Sequence, residues 1–247
     1  MAMSQRKSFA FRSVLCLFSI ALPLVFGTAC SSVQVDENDP ASLYLEAEEE
    51  ASNEHYQIAL EKLRAIKNKF PYSKYAVDSQ LKIADIYFLQ ESYAEAAGSY
   101  ETFRDLHPKH EKAAYSSFRI AKSYFLDTPT NVSRDLTSAQ RALDAYAEFL
   151  HRFPQDPNVP EAREDVKKLR ELLAEKELYI GDFYFKRDYY ESAKPRYEKV
   201  IELYSDTNAA KVAREKISQI ESFGAKGEGS KDYGRSGGQS SGKSTED

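Results

Sequence analysis

The stretch ADIYFLQESYAEAAGSYETFRDLHP, residues 84–108, decides the fold of this chain. Its apolar side chains recur at the spacing of an amphipathic helix. Small residues at Ala84 and Ala96 let two antiparallel helices approach closely, and Tyr87 fills the space between successive pairs. Pro108 ends the second helix because proline lacks the amide hydrogen that helix continuation requires. The stretch therefore predicts a closely packed helix pair.

The same pattern occurs one step earlier in the chain. Two markers return after 37 residues, Tyr56-x-x-Ala59 as Tyr93-x-x-Ala96 and Phe70-Pro71 as His107-Pro108. A fixed period of roughly 20–50 residues is the signature of stacked structural repeats. The small residues, the aromatic residue and the closing proline together match the tetratricopeptide pattern.

Two further units follow with changes in spacing. The third unit carries Ala121, Tyr124, Ala142 and Pro154, and the fourth carries Gly181, Tyr184, Tyr190 and Ala193. Extra residues around 128–138 predict a lengthened loop within the third unit. The charged segment 161–177 predicts one unusually long helix that runs to about Lys186, and a last helix is expected near 209–223.

These observations define the fold class and the domain boundaries. Glycine is nearly absent between the chain ends and no hairpin signal occurs, so we expect an all-α protein. The prediction is a tetratricopeptide-repeat α-solenoid of about four to five helix pairs, or about nine helices, over residues 41–223. Residues 224–247 are rich in glycine and serine, and we expect them to be disordered.

The N-terminus indicates export. Arg6, Lys7 and Arg12 precede a short apolar run, which is typical of a signal peptide over residues 1–29. The residues before Cys30 resemble the lipobox of bacterial lipoproteins, in which this cysteine is acylated, although Gly27 stands where leucine is usual. We therefore expect a lipid anchor at Cys30, followed by a flexible tether over residues 30–40.

Cysteine usage supports the lipid anchor. The other interpretation is an ordinary secreted protein with an unpaired cysteine. Cys16 lies inside the segment that a signal peptidase would remove, so Cys30 would have no disulfide partner. Acylation accounts for Cys30, and Ser31 resembles the residue that follows the cysteine in lipoproteins sorted to the outer membrane.

Charge and motifs exclude several kinds of function. The formal net charge is −5, which argues against nucleic acid as a partner, because phosphate binding needs clustered Lys and Arg. No zinc-binding His-Glu-x-x-His motif, cysteine cluster or phosphate-binding glycine loop occurs. We expect no cofactor, no metal site and no enzymatic activity.

A few aromatic residues fall outside the predicted core. Tyr100 and Tyr146 occupy repeat core positions, whereas Tyr72 and Tyr75 follow Phe70-Pro71 at the turn between repeats. Exposed aromatic side chains on the concave side of a solenoid are suitable anchors for an extended peptide.

Two segments resemble the BamD family of outer-membrane assembly lipoproteins, over Leu43 to about Glu221. The first runs from Leu43-Tyr44-x-x-Ala47 through Tyr56-x-x-Ala59 to Phe70-Pro71-Tyr72-Ser73-x-Tyr75-Ala76. The second runs from Leu172 through Lys176, Tyr179, Phe183-Tyr184 and Arg187 to Tyr204-Ser205-Asp206-Thr207. The family commonly has a fuller fifth repeat than the single helix expected here.

The resemblance implies a role and candidate site residues. It implies a location on the periplasmic face of the outer membrane, contact with the periplasmic domains of the central barrel-assembly subunit, and contact with other assembly lipoproteins. Arg196 matches an arginine that contacts the barrel subunit, and a surface pair on its own helix is the alternative. Capture of unfolded outer-membrane proteins is assigned to a groove near four aromatic residues, Tyr56, Phe70, Tyr72 and Tyr75.

Two other functions remain open at this point. Another outer-membrane repeat lipoprotein, such as a secretin pilotin or a cell-envelope coordinator, would have the same repeat physics. A hydrolase with its site in the solenoid groove belongs to a different class. The long charged helix and the Tyr204–Thr207 segment favour the barrel-assembly interpretation.

Overall fold

The computed structural model describes residues 38–225 and Lys231. Within these residues the chain forms nine α-helices and no strand. The helices are α1 Pro40–Ser52, α2 Tyr56–Lys69, α3 Lys74–Leu89, α4 Tyr93–Leu106, α5 Ala113–Asp127, α6 Thr137–Arg152, α7 Val159–Phe185, α8 Tyr190–Leu203 and α9 Asn208–Ala225. The all-α prediction is confirmed. The signal peptide, Cys30, most of the tether and all of the tail beyond residue 225 except Lys231 lie outside the described residues.

The helices stack as consecutive antiparallel pairs. Each helix packs against the next one in sequence, and the odd-numbered neighbours α1 and α3, α5 and α7, and α7 and α9 also touch. This arrangement is that of a tetratricopeptide solenoid, in which each pair contacts only its neighbours. The predicted contact residues Ala59 and Ala96 are completely buried.

Three of the helix pairs are joined by the same tight turn. Glu54, Glu91 and Asp188 each adopt a positive φ of 62°, 58° and 66°. The next amide in each turn donates to a carbonyl five residues back: His55 to Glu50, Ser92 to Tyr87 and Tyr189 to Tyr184. This is the helix-ending motif that usually has glycine at the left-handed position. Here the motif is built without glycine.

The predicted changes of spacing are confirmed in the second half of the array. Helix α5 ends at Asp127 and α6 begins at Thr137, so the extra residues form a loop within the third pair. Lys176 Nζ donates to Arg134 O at 2.6 Å, which ties this loop to α7. Helix α7 has 27 residues and is the predicted long helix.

Buried tyrosine hydroxyls are satisfied by aspartates on neighbouring helices. The donor–acceptor pairs are Tyr100–Asp85 at 2.6 Å, Tyr146–Asp165 at 2.8 Å and Tyr197–Asp182 at 2.7 Å. Burial and the adjacent carboxylate raise the pKa of each tyrosine, so the hydroxyl keeps its proton. Each pair therefore joins two helices by a hydrogen bond that water does not reach easily.

The closest approach in the fourth pair occurs at Gly181. A Cβ atom built on Gly181 would lie 2.6 Å from the ring of Tyr197. Tyr197 is completely buried and its hydroxyl is fixed by Asp182, so the ring has no room to withdraw. Gly181 is thus required by the contact between α7 and α8.

We expect Gly181→Ala to lower the free energy of unfolding by about 1 kcal/mol or more, because overpacking typically costs about 1–3 kcal/mol. The control is Gly98→Ala in α4, where an added Cβ meets nothing within 4 Å. Gly98→Ala should raise the same free energy by about 0.5–1 kcal/mol through helix propensity. Urea unfolding followed by circular dichroism measures both, and stabilisation by both substitutions would contradict the steric explanation.

Candidate partner-binding surfaces

The turn between α2 and α3 presents an exposed tyrosine. Phe70 ends α2, and the Ser73 hydroxyl begins α3 by accepting a hydrogen bond from the Ala76 amide at 3.2 Å. Tyr72 lies between these two residues and is fully exposed. Because both ends of the turn are fixed, the Tyr72 side chain stands on an ordered part of the surface.

Tyr75 extends this surface along the first helices of the two N-terminal pairs. The ring of Tyr75 lies 5.6 Å from that of Tyr44, and the Lys74 ammonium lies 4.9 Å from the centre of the Tyr75 ring. Burial and the neighbouring carboxylates Glu48, Asp78 and Asp85 raise the pKa of Tyr44. The ring contact with Tyr75 makes Tyr44 a member of this surface. Tyr44 was not among the site residues predicted from the sequence.

The four predicted substrate-binding residues do not form one cluster. Tyr56 begins α2 and Phe70 follows its last residue, which places them about 20 Å apart at 1.5 Å per residue. Phe70, Tyr72 and Tyr75 share one end of the helix pairs. Tyr56 lies at the opposite end.

Arg196 forms an ion pair with a different helix. Its Nη1 donates to Glu177 Oε2 on α7 at 3.1 Å, and Lys199 Nζ donates to Glu177 Oε1 at 2.6 Å. Arg196 thus forms a surface pair within the chain, as the alternative interpretation held, but its partner lies on α7 rather than on its own helix. The Arg196 side chain is 41% exposed and that of Glu177 is 14% exposed, so two partly exposed cations, Arg196 and Lys199, flank one largely buried carboxylate.

The two cations set the charge of Glu177. Burial alone would raise the pKa of this carboxyl group, but the hydrogen bonds from Lys199 and Arg196 outweigh burial and hold the pKa below its ordinary value. Glu177 is consequently ionised at neutral pH, and the cluster of three side chains keeps one net positive charge.

The Tyr204–Thr207 segment is held by α7 next to this cluster. Arg170 Nε donates to both carboxylate oxygens of Asp206 at 3.2 Å. The Glu171 carboxylate accepts from the first two amides of α9 at 3.0 and 3.1 Å. An acidic side chain at a helix N-terminus satisfies free amides and the helix dipole. The turn before α9 is therefore fixed by two side chains of α7.

The described residues contain no group of three or more His, Cys, Asp or Glu side chains that could hold a metal ion. None of the helices in this part of the chain is long and apolar enough to cross a membrane. What these residues do contain is an exposed aromatic turn near the N-terminus and a cationic cluster in the fourth pair.

The fold defines an all-α helical-repeat protein of the tetratricopeptide type. The chain belongs to the YfiO family, described as outer membrane lipoproteins, whose model matches residues 36–228. The match covers every helix of the array. The predicted membership of the BamD family is thereby confirmed.

Curated relatives agree with this assignment. The chain is 28% identical over 213 residues to the outer membrane protein assembly factor BamD of Vibrio cholerae, covering 83% of this chain and 88% of that protein. It is also 28% identical over 191 residues to BamD of Neisseria gonorrhoeae, covering 73% and 72% of the two chains. Among solved structures, MamA from Desulfovibrio magneticus is similar over 68% of this chain and 77% of its own, at 16% identity and a TM-score of 0.38.

The charge of Glu177 leads to a pH-dependent prediction. Because its folded-state pKa lies below the ordinary 4.5, its contribution to stability is present above that pH and is lost as the pH falls through the folded value. We expect Glu177→Gln to destabilise the protein by about 1 kcal/mol at neutral pH, a value discounted for its partly exposed partners. The difference from the unmodified protein should shrink below pH 4.5.

Chemical denaturation at a series of pH values measures this difference. The matched control is Glu175→Gln, an exposed residue two positions earlier on α7. It should change stability little at any pH. A pH-independent effect of Glu177→Gln would contradict the role of the ion pairs.

Proposed function

We propose that this protein is a non-enzymatic lipoprotein scaffold of the machinery that assembles β-barrels in the outer membrane. The observation that carries the proposal is the extent of the family match, residues 36–228, which includes the whole array rather than one repeat. Matching relatives from Vibrio, Neisseria and Caulobacter all carry the name outer membrane protein assembly factor BamD. A generic repeat protein of the envelope would match only the repeat pattern.

The proposed attachment is a lipid on Cys30 that holds the protein on the periplasmic face of the outer membrane. Helix α1 begins at Pro40, so the ten residues from Cys30 reach roughly 30 Å when extended. Over that length the first helix pair can meet unfolded barrel proteins while the lipid stays in the membrane. Other assembly lipoproteins are further proposed partners in the same complex.

The proposed contact with the central barrel subunit is the cationic cluster of Arg196, Lys199 and Glu177. In this cluster Arg196 donates to Glu177 through Nη1, and its side chain remains 41% exposed. A carboxylate of a partner domain can accept from the outward edge of the guanidinium with two parallel hydrogen bonds. The support is the positive charge of the cluster and its fixed position between α7 and α8.

The proposed substrate surface lies on the first two helix pairs. Tyr72 is fully exposed, and the half-buried rings of Tyr75 and Tyr44 contact each other at the same end of the helix pairs. An unfolded barrel strand alternates apolar and polar side chains, so every second residue can contact such a patch. Tyr56 lies about 20 Å away, a distance that an extended segment of about six residues spans. One strand therefore reaches both ends of the pair.

The contact with the barrel subunit is tested by reversing the charge of Arg196. We expect the tagged, unmodified protein purified from detergent-solubilised envelopes to recover a large barrel protein with repeated periplasmic domains. Arg196→Glu should reduce that recovery about tenfold, since it places a like charge against the partner carboxylate. Quantitative mass spectrometry measures the ratio.

The matched control is Lys194→Glu, which makes the same charge change on the same helix but on a different side. Lys194 pairs with Glu198 and Glu221 rather than with Glu177. Its recovery of the barrel subunit should stay near normal. Recovery of a secretin by the unmodified protein would overturn the assembly role, and normal recovery by Arg196→Glu would overturn this contact.

The substrate surface is tested by removing the rings of Tyr72 and Tyr75. Tyr72→Ala combined with Tyr75→Ala should weaken binding of a peptide from the C-terminal strand of a barrel protein about tenfold or more, with helicity unchanged. Fluorescence anisotropy of a labelled peptide measures the affinity. Leu106→Ala is the control, because Leu106 is an exposed apolar residue at the end of α4, in the next repeat. Equal affinities for the double variant and the unmodified protein would refute this surface.

A further inference from the structure

Helix α5 is covered on most of its sides and opens to solvent along one stripe. The stripe consists of Tyr115, Arg119, Lys122 and Leu126, which follow one another at helical spacing. The first three are half-buried, and Leu126 is 38% exposed. Stacked repeats of this kind present extended grooves as binding surfaces. The charged and apolar positions of the stripe therefore decide what this part of the array can bind.

The cations next to Arg119 on the odd-numbered helices are paired with carboxylates. Lys82 Nζ on α3 lies 3.5 Å from Glu48 Oε1 on α1. Lys122 Nζ on α5 lies 2.7 Å from Asp165 Oδ2 on α7. These pairs bridge successive odd-numbered helices, and each lysine has an acceptor of opposite charge. Arg119 departs from this pattern.

Arg119 bridges α5 and α3 through aromatic rings instead. Its guanidinium carbon lies 3.7 Å from the centre of the Phe88 ring and 5.5 Å from that of the Tyr115 ring. Its Nε is buried and has no hydrogen-bond acceptor among the described residues. No carboxylate oxygen in this part of the chain lies within 4.0 Å of an Arg119 nitrogen. A partly buried cation without an acceptor is costly, and a ligand that supplies an acceptor removes that cost.

Asp85 lies in the same network but does not pair with Arg119. Its Oδ1 accepts hydrogen bonds from the Tyr100 and Tyr115 hydroxyls at 2.6 and 2.7 Å. These bonds fix the Tyr115 ring beside the guanidinium. Because arginine does not lose its proton in proteins, the site keeps a permanent positive charge in a fixed place. A planar guanidinium held in this way suits a carboxylate.

An apolar pocket lies at the other end of the stripe. It has a volume of about 370 Å³ and is bounded by Leu126, by Pro129 of the inserted loop, and by Leu169 and Leu172 of α7. The loop wall is fixed, because Thr128 Oγ1 donates to a carbonyl of α5 at 2.8 Å. A preformed apolar pocket of this size has room for one large apolar side chain.

The distance between Arg119 and the pocket is one that an extended peptide spans. Arg119 and Leu126 are seven positions apart on α5, which is about 10 Å along the helix. In the polyproline II conformation, residues three apart point to the same side and lie about 9 Å from each other. Lys168 at the pocket pairs with Glu164 at 2.8 Å, so a ligand carboxylate is directed to Arg119 rather than to this lysine.

We propose that the groove along α5 binds an extended peptide that carries a carboxylate three residues from a large apolar side chain. The carboxylate binds Arg119, and the apolar side chain enters the pocket beside Leu126. The carboxylate belongs to an acidic side chain or to the end of a chain. This site is distinct from the Tyr72 surface and from the Arg196 cluster, and it does not depend on the barrel-assembly role.

Tryptophan fluorescence tests the proposal on the full chain in detergent. The chain contains no tryptophan, so a tryptophan in the peptide supplies the signal. The probes are acetyl-Trp-Ser-Ser-Asp-amide and the reversed acetyl-Asp-Ser-Ser-Trp-amide, and detergent without protein is the blank. In at least one order the emission should move to shorter wavelength as the ring enters the pocket. The same peptide with Asn in place of Asp should bind about tenfold more weakly.

Two further peptides test the source of the carboxylate and the spacing. Acetyl-Trp-Ser-Ser-Asn with a free terminal carboxylate is compared with its amide, and preferred binding of the free acid would assign the site to the end of a chain. A peptide with Asp directly next to Trp should bind as weakly as the Asn peptide, because its carboxylate does not reach Arg119 while the ring is in the pocket.

Variants of the protein locate the two contacts. Arg119→Gln should abolish the difference between the Asp and Asn peptides. Arg141→Gln is the matched control, because the Arg141 guanidinium also lies over a tyrosine ring, 5.7 Å from that of Tyr124, but on α6. It should leave the difference unchanged. Leu126→Ser should weaken both peptides and reduce the emission shift, and circular dichroism checks the fold of each variant.

Equal affinities of the charged and uncharged peptides for the unmodified protein, for both orders and for the chain terminus, would overturn the proposal. A preference for the charged peptide that persists in Arg119→Gln would also overturn it. The first comparison uses only the unmodified protein, so it decides the question even if a variant does not fold.

Discussion

The close approach of neighbouring helices at small residues is the constraint on which the rest of this structure depends. Ala59, Ala84 and Ala96 have no exposed surface, and Gly181 leaves room only for the ring of Tyr197. Helices held this close leave gaps between successive pairs, and large side chains must fill them. That is why the most deeply buried large residues are tyrosine and phenylalanine, and why these tyrosines need acceptors inside the array.

The aspartate acceptors then decide which helices are locked together. Tyr100 and Tyr197 bind aspartates of the preceding helix, whereas Tyr146 binds Asp165 on the following helix, where Lys122 donates to the same carboxylate at 2.7 Å. The exception coincides with the inserted loop and the start of α7. A buried carboxylate with two donors is well satisfied, and removing one donor would leave a costly unpaired charge. The third pair is therefore joined to α7 at the point where the repeat spacing changes.

The sequence was sufficient to predict the helices, but it was not sufficient to predict which side chains share a surface. The repeat markers predicted the loop after Asp127 and the length of α7, because both follow from displacements along the chain. The turns at Glu54 and Glu91 were not predictable, since their left-handed residues are not glycine. Glu177 was missed because its partners lie on another helix with no fixed sequence separation. The distance between Tyr56 and Phe70 follows from helix rise alone, so the separation of Tyr56 from the other aromatic residues could have been predicted from the sequence.

Helix α7 connects these features because it changes its buried side along its length. Its first half packs against the third pair, Glu171 near its middle binds the start of α9, and its second half receives α8 at Gly181. A single helix with two packed sides fixes the third pair relative to the fourth, since rotating it to improve one interface would disrupt the other. The same geometry necessarily leaves the continuation of the first side uncovered at Tyr179 and Phe183. An exposed aromatic face in the middle of the array is thus a consequence of how the spacing changes.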